Sequence, residues 1–272
     1  TRNLGVPRAV AGLTATFEYN NPESLERIFA ENPNQVAAVI LEPVGVVEPQ
    51  KDFLKEVAAM ARRYGALLIF DEIVTGFRWA LGGAQEYFGV TPDLACFGKA
   101  LGNGFPISAV AGRREVMQIF DQIFFSFTFG GEAISLAAAV ATIRRIRENP
   151  VIQHLWDQGQ RLKDGYNVMA SEFGLSGQTE CVGYPCRTVI SFRERDGRES
   201  LVLKSLFQQE VLKRGILSAG YHNVSFAHQP AQIDSTLRVY RTALEILAEA
   251  VESGEPARWL EGAPVEPVFR RM

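Results

Sequence analysis

The scarcities in this chain narrow its reading first. Only three histidines occur, His154, His222 and His228, so none precedes residue 154. The first half therefore lacks the imidazole that a Ser-His-Asp arrangement needs, and no Gly-x-Ser-x-Gly elbow is present. Cysteine is equally sparse. Cys96, Cys181 and Cys186 form an odd set that reads as no disulfide framework. The spacing of the last two fits no common zinc pattern without nearby partners, so no structural metal is expected. Net charge is only −3, and no basic stretch is interleaved with aromatics, which argues against a nucleic-acid partner. Every apolar run falls short of membrane-spanning length, and the N-terminus has no signal-peptide layout. Neither a P-loop nor a GxGxxG opens a helix after a strand.

The remainder is ordinary for a globular protein: 272 residues, 47% apolar and 22% charged. A chain of this size can bury a substantial core, in one large domain or a large and a small one, and the composition predicts a cytoplasmic enzyme. It opens at Thr1 without Met, on the Asn3–Pro7 stretch, which reads as the middle of a protein.

Hydrophobic periodicity organises the first part of the chain. Asn21 caps a helical pattern through Leu25, Ile28 and Phe29. Val36–Leu41 is a continuous apolar run that reads as a buried strand. An amphipathic helix is predicted over 52–64, with Gly65 at its C′ position, and a second buried strand over Ala66–Phe70. Each strand is nearly all apolar and a helix lies between them, which is the βαβ signature of a parallel sheet covered on both faces. Leu94–Phe97 and Ile107–Ala111 read as further short strands, and helices are predicted over 132–148 and 151–172. Beyond Asn149-Pro150 the pattern predicts an α+β arrangement: strands at Val182–Phe192 and Gly215–Ala219 around a helix at 199–213, then a helix over Gln232–Ser253. The tail from Gly254, with Pro256, Pro264 and Pro267, shows no periodicity. The expected organisation is a larger unit over 1–149 and a smaller one over 150–272.

Ligands of open parallel sheets bind at the carboxyl ends of the strands, and Glu42 and Asp71 both fall at predicted strand ends. Either could instead be a turn or capping residue. Asp71 follows the apolar run Leu67–Phe70, where a carboxylate is costly without a cationic partner. A protonated pyridine nitrogen is such a partner, and keeping it protonated makes the ring an electron sink. Ile73, two residues on, would face the same side and could pack on a ring. Lys99 is the only lysine between Lys55 and Lys163. A Schiff base needs an amine that can lose its proton, which arginine cannot do. Gly98, Gly102 and Gly104 around Lys99 allow close backbone approach to a ligand. Taken alone, Lys99 also fits an exposed loop lysine. Thr128, in Phe127-Thr128-Phe129-Gly130-Gly131, offers a hydroxyl and amides ahead of a helix, which suits a phosphate or an ordinary N-cap. Arg78, Trp79, Tyr221 and His228 are further candidates for lining a site.

These residues resemble a known family. Leu41-Glu42-Pro43-Val44, Phe70-Asp71-Glu72-Ile73-Val74-Thr75-Gly76-Phe77-Arg78, Gly82-Gly83-Ala84-Gln85, Thr91-Pro92-Asp93-Leu94 and Gly98-Lys99 look like class III aminotransferases, nearest to the glutamate-1-semialdehyde aminomutase-like branch. The resemblance implies a fold type I α/β large domain with a mainly parallel sheet, and a smaller α+β C-terminal domain. It implies pyridoxal 5′-phosphate (PLP) as cofactor, joined to Lys99, which also shuttles the substrate proton. It further implies Asp71 on the pyridine nitrogen, Ile73 on the ring, Val74 beside the cofactor, and Glu42 near the substrate. Thr128 would bind the phosphate in the neighbouring subunit, hence a homodimer with a shared active site. The partners would be a small-molecule amine donor and a carbonyl acceptor. Val74 departs from the Gln of many members and leans toward the aminomutase-like branch. Gly130-Gly131-Glu132-Ala133 replaces a common Gly-Asn-Pro and leaves the substrate open. The family's N-terminal phosphate loop and ring-stacking aromatic have no counterpart here. Either further residues precede Thr1 in the protein or the chain is a truncated or split product, and a non-catalytic subunit that assembles with a partner is kept beside the aminotransferase and aminomutase readings.

Overall fold

The computed structural model describes residues 4–266. Thr1–Asn3 and the tail proline Pro267 lie outside the described residues. The chain falls into two compact units that divide between Glu148 and Asn149.

The first unit carries a four-stranded sheet. Its elements are α1 (Arg8–Ala11), α2 (Pro22–Glu31), β1 (Ala38–Leu41), α3 (Phe53–Arg63), β2 (Leu67–Asp71), α4 (Ala84–Phe88), β3 (Leu94–Phe97), β4 (Ala109–Gly112), α5 (Arg114–Met117) and α6 (Ala133–Glu148). The strand order is β1-β2-β3-β4. The pairs β1–β2 and β2–β3 are parallel, and β4 runs antiparallel to β3. The mainly parallel sheet expected from the apolar strands is present.

Local chemistry explains the helices beside it. Asn21 accepts the amide of Ser24 at the start of α2, with Pro22 at its first turn, where a missing N–H costs nothing. Phe53, Leu54, Val57 and Ala61 line one face of α3 and are buried with Leu25 and Phe29 of α2 against Leu41, Leu68 and Phe70. Gly65 ends α3 at φ +72°, a left-handed position that favours glycine. One expectation fails. Only one face of β1 is covered among the described residues: Ala38 and Ile40 are exposed, Ile40 at 59%. The helix α4 was also not expected, because five residues are too few for periodicity to register.

The second unit contains α7 (Val151–Glu172), β5 (Thr179–Tyr184), β6 (Arg187–Phe192), α8 (Leu201–Lys213), β7 (Tyr221–Asn223) and α9 (Pro230–Glu252). Its antiparallel sheet has the order β5-β6-β7. The single strand expected over Val182–Phe192 is instead a hairpin folded at Pro185-Cys186, and Gly183 at φ +95° was the turn signal. The strand expected at Gly215–Ala219 lies later, at Tyr221–Asn223. Gly215 takes φ +83° and Ile216 N–H returns to Val211 O, so these residues close α8 instead. Gly159 lies within α7, where a Cβ would overlap the Pro185 carbonyl. The helix therefore lies directly on the hairpin turn.

Tyr166, Phe192, Phe207, Tyr240, Leu244 and Leu247 form the core of this unit. Its buried polar groups are paired. His222 Nδ1 meets Thr188 Oγ1 at 2.7 Å and Nε2 meets the Tyr240 hydroxyl at 2.9 Å. Tyr166 meets Thr179 Oγ1 at 2.6 Å. Burial holds His222 down at about 4 and pushes Tyr240 up to about 12 and the Cys181 thiol up to about 11.

Candidate active site

The first unit gathers the candidate residues on one sheet edge. Parallel pairing sets Leu41 beside Phe70 and Asp71 beside Cys96. Glu42, Asp71 and the Gly98-Lys99 step therefore leave three adjacent strands at their carboxyl ends. Because β4 is antiparallel and Ala109 pairs with Phe97, Ile107-Ser108 enters at the same edge.

Asp71 is half-buried, and its Oδ1 accepts the Ile73 amide at 3.0 Å. Among the described residues no cationic side chain pairs with it. Its charge is felt next door: burial first, and then the Asp71 carboxylate, raise the Cys96 thiol. A half-buried carboxylate without a cation is the arrangement that a cationic ligand would complete.

Lys99 opens a short 3-10 turn over Lys99–Leu101, anchored by the buried Leu101, and its side chain is exposed. Its φ is +42°, a left-handed backbone that a lysine seldom adopts and that concentrates at functional sites. The glycines around it act differently from one another. A Cβ on Gly98 would touch Ile73 Cγ2 at 3.4 Å, so Ile73 packs beside the residue that precedes Lys99. A Cβ on Gly102 would overlap the Phe105 carbonyl, so this glycine serves the turn. Gly104, at φ +107°, faces open space. Helix α6 packs against the Lys99–Leu101 turn.

The remaining candidates separate. Ile73 and Val74 are half-buried in the loop that follows β2, while Glu42 is exposed beyond β1. Thr128 is exposed in a turn ahead of α6, and no hydrogen bond among the described residues joins it to Asp71 or Lys99. The first amides of α6 are already used: Glu132 accepts from Ile134 N–H and Ser135 N–H, both at 2.7 Å. Hydrogen bonding from Ser135, side chain first and then amide, and from the Ile134 amide lowers the Glu132 carboxyl, so an incoming phosphate would meet a carboxylate at that helix end. Arg78 is half-buried, and Trp79, at 1% exposure, is core. Tyr221 and His228 belong to the second unit, where His228 Nδ1 accepts the Ser225 amide at 3.0 Å and closes a tight turn.

Sequence reasoning missed Glu72. It is fully buried, and its carboxylate accepts the amides of Ala84 at 2.7 Å and Gln85 at 2.8 Å as well as the Thr75 hydroxyl. An Asp-Glu pair at a strand end draws attention to its first member. The signal for the second was the Gly82-Gly83 step, where Gly83 takes φ +83° and a Cβ would overlap the Glu72 carboxylate.

The aminotransferase class-III family model matches residues 5–226. The chain belongs to the class III aminotransferase family. It is 36% identical over 260 residues to glutamate-1-semialdehyde 2,1-aminomutase of Ruminiclostridium cellulolyticum, covering 89% of this chain and 60% of that protein. It is 37% identical to the Thermus thermophilus protein of the same name, over 89% of this chain and 61% of that one. Among solved structures, the FumI protein of Sphingopyxis sp. MTA144 in its PLP internal aldimine form superposes with a TM-score of 0.81 at 28% identity, covering 90% of this chain and 60% of that chain. An omega-transaminase from Sphaerobacter thermophilus gives a TM-score of 0.80 at 26% identity, with the same shares covered. The chain thus spans about three-fifths of the length of these class III relatives. No helix among the described residues is long and apolar enough to cross a membrane.

Proposed function

We propose that this class III chain carries the lysine and the pyridine partner for PLP-dependent transfer of an amino group from an amine donor to a carbonyl acceptor. The observation that carries the proposal is the pairing of an uncompensated carboxylate, Asp71, with an exposed lysine held in a left-handed backbone, Lys99, on adjacent strand ends. The residues fit the cofactor: Asp71 offers the anion that a ring nitrogen needs, Ile73 an apolar surface beside Gly98, and Lys99 an amine with no salt bridge among the described residues. When bound, PLP supplies an electron sink for a substrate carbanion.

The chain's own residues do the rest. Lys99 would hold the cofactor through its Nζ, and as a neutral amine it would move the substrate proton. Asp71 keeps the ring nitrogen protonated by its charge. Ile73 and Val74 shield the ring edge from water, and Glu42 orients the substrate. Thr128 would serve the phosphate of a second copy. The flanking Phe124, Phe127 and Phe129 support that assignment, exposed at 95%, 66% and 70% as an apolar surface fit for an interface. In this reading the first unit is part of the cofactor domain and the second is the small domain.

An intramolecular aminomutase is the second reading. It is favoured by the relatives that carry that name and by the apolar Val74. A subunit that acts only with a partner is the third. Borohydride reduction of the protein incubated with PLP should fix a chromophore on Lys99, and a Lys99→Ala variant that kept the same reducible band would overturn the proposal. Mixing the loaded protein with candidate amines and assaying the free carbonyl product separates the first two readings, since the aminomutase retains its intermediate. Binding of PLP without conversion by any amine would favour the third.

A further inference from the structure

Glu72 is spent on something other than a cation. Its carboxylate has no exposed surface and no cationic partner among the described residues, yet it is held by three donors: two amides that begin α4 and one hydroxyl from Thr75. Its backbone is fixed as well, because Glu72 N–H donates to Cys96 O at 2.9 Å and continues the β2–β3 ladder past the last paired residue. The side chain thus joins residue 72 to residues 84 and 85 and closes the intervening loop at its neck. Gly83 permits the closure, since any Cβ there would enter the carboxylate.

Asp71 is the residue immediately before this neck. Neighbouring side chains of an extended strand point to opposite faces. Burial of Glu72 on one face therefore turns Asp71 to the other, where its Oδ1 takes the Ile73 amide. The same loop presses Ile73 against Gly98, next to Lys99. We propose that Glu72 is a positioning residue: by closing the 72–85 loop on the amides of Ala84 and Gln85, it fixes the direction in which Asp71 faces beside Cys96. This deepens the proposed function and rests on it only for the purpose of Asp71, not for its placement.

Glu72→Gln tests the neck. A carboxamide offers one accepting oxygen where two are used. Whichever way it is turned, its NH2 faces Ala84 N–H or Gln85 N–H, and one buried amide loses its acceptor. Thr75→Val removes one donor of the three and leaves both amide bonds, which keeps the question answerable if Glu72→Gln fails to fold. The readout is the pH profile of Cys96 alkylation in the full chain without cofactor. The Asp71 charge raises that thiol, so a carboxylate that turns away lowers the alkylation midpoint. Cys181 and Cys186 are buried, so labelling confined to Cys96 certifies that the protein remains folded. A purely structural cap would lower the melting temperature without moving this midpoint.

The expected result is a lower midpoint in Asp71→Asn, a fall of at least half that size in Glu72→Gln, and a smaller fall in Thr75→Val. Wild-type midpoints in both Glu72→Gln and Thr75→Val, with Asp71→Asn shifted, would overturn the proposal. An unshifted Asp71→Asn would overturn it too, because the carboxylate would then not face Cys96. With PLP added, affinity should fall on the order of 10-fold in Glu72→Gln, as for outer residues that orient a ligand-binding group. Failure of Lys99 to be labelled would strike the proposed function and leave the cofactor-free profile standing.

Discussion

The core cluster of the second unit and the sheet edge of the first treat their polar groups in opposite ways. In the second unit each member of the polar cluster has a partner: His222 is held from both ring nitrogens by Thr188 and Tyr240, and Tyr166 is tied to Thr179. At the sheet edge of the first unit, no salt bridge among the described residues reaches Asp71 or Lys99, and Lys99 has a left-handed backbone. A paired cluster rigidifies a core. An unpaired carboxylate and a strained lysine lower stability unless something binds there. The contrast sets a paired core in the second unit against the candidate site in the first, and it can be broken from either side.

The largest effect is expected at Lys99. Lys99→Ala should lower amino-group turnover by about 10³-fold or more, equivalent to about 4 kcal/mol in the barrier, while urea unfolding shifts little because the side chain is exposed. A large loss of stability would erase the contrast. Phe207→Ala should do the reverse. It empties a site packed by Tyr166, Phe192 and Tyr240 and should cost about 3–5 kcal/mol in unfolding experiments, without abolishing borohydride labelling of Lys99.

Acid should weaken the second unit through His222. Its pKa is about 4 when folded, against an ordinary value of 6.5, so the unfolded chain binds the extra proton. The stability associated with neutral His222 is complete above pH 6.5, declines as pH falls from there through 4, and amounts to roughly 3 kcal/mol in full. Urea midpoints between pH 7 and pH 4 measure it, and His222→Gln should flatten that part of the profile. Tyr240→Phe leaves His222 Nε2 without its partner and should cost about 1–3 kcal/mol. The smallest effect is expected at Asn21. Asn21→Ala removes the N-cap of α2 and should cost about 1 kcal/mol, read as faster amide exchange at Ser24.

Much of the first unit was legible in the sequence. Apolar runs ended at Leu41 and Phe70, and Asp71 and Lys99 were singled out because only certain residue types can hold a pyridine nitrogen or form a reversible imine. The illegible parts depended on chain path. The hairpin at Pro185-Cys186 was read as one strand because alternation continues through a two-residue turn. Glu72 was overlooked because its partners lie 12 and 13 residues away and are backbone amides, which no side-chain pattern announces.

By itself, then, the sequence determined the parallel strands, which follow from local periodicity, and it pointed to the family through the resemblance of its motifs and to Asp71 and Lys99 as candidates through the chemistry that a side chain can perform. The tertiary structure alone decided which charges go unpaired, that Lys99 sits at φ +42°, and that Glu72 closes the loop behind Asp71. Those are properties of where distant backbone groups meet, and no stretch of residues carries them in isolation.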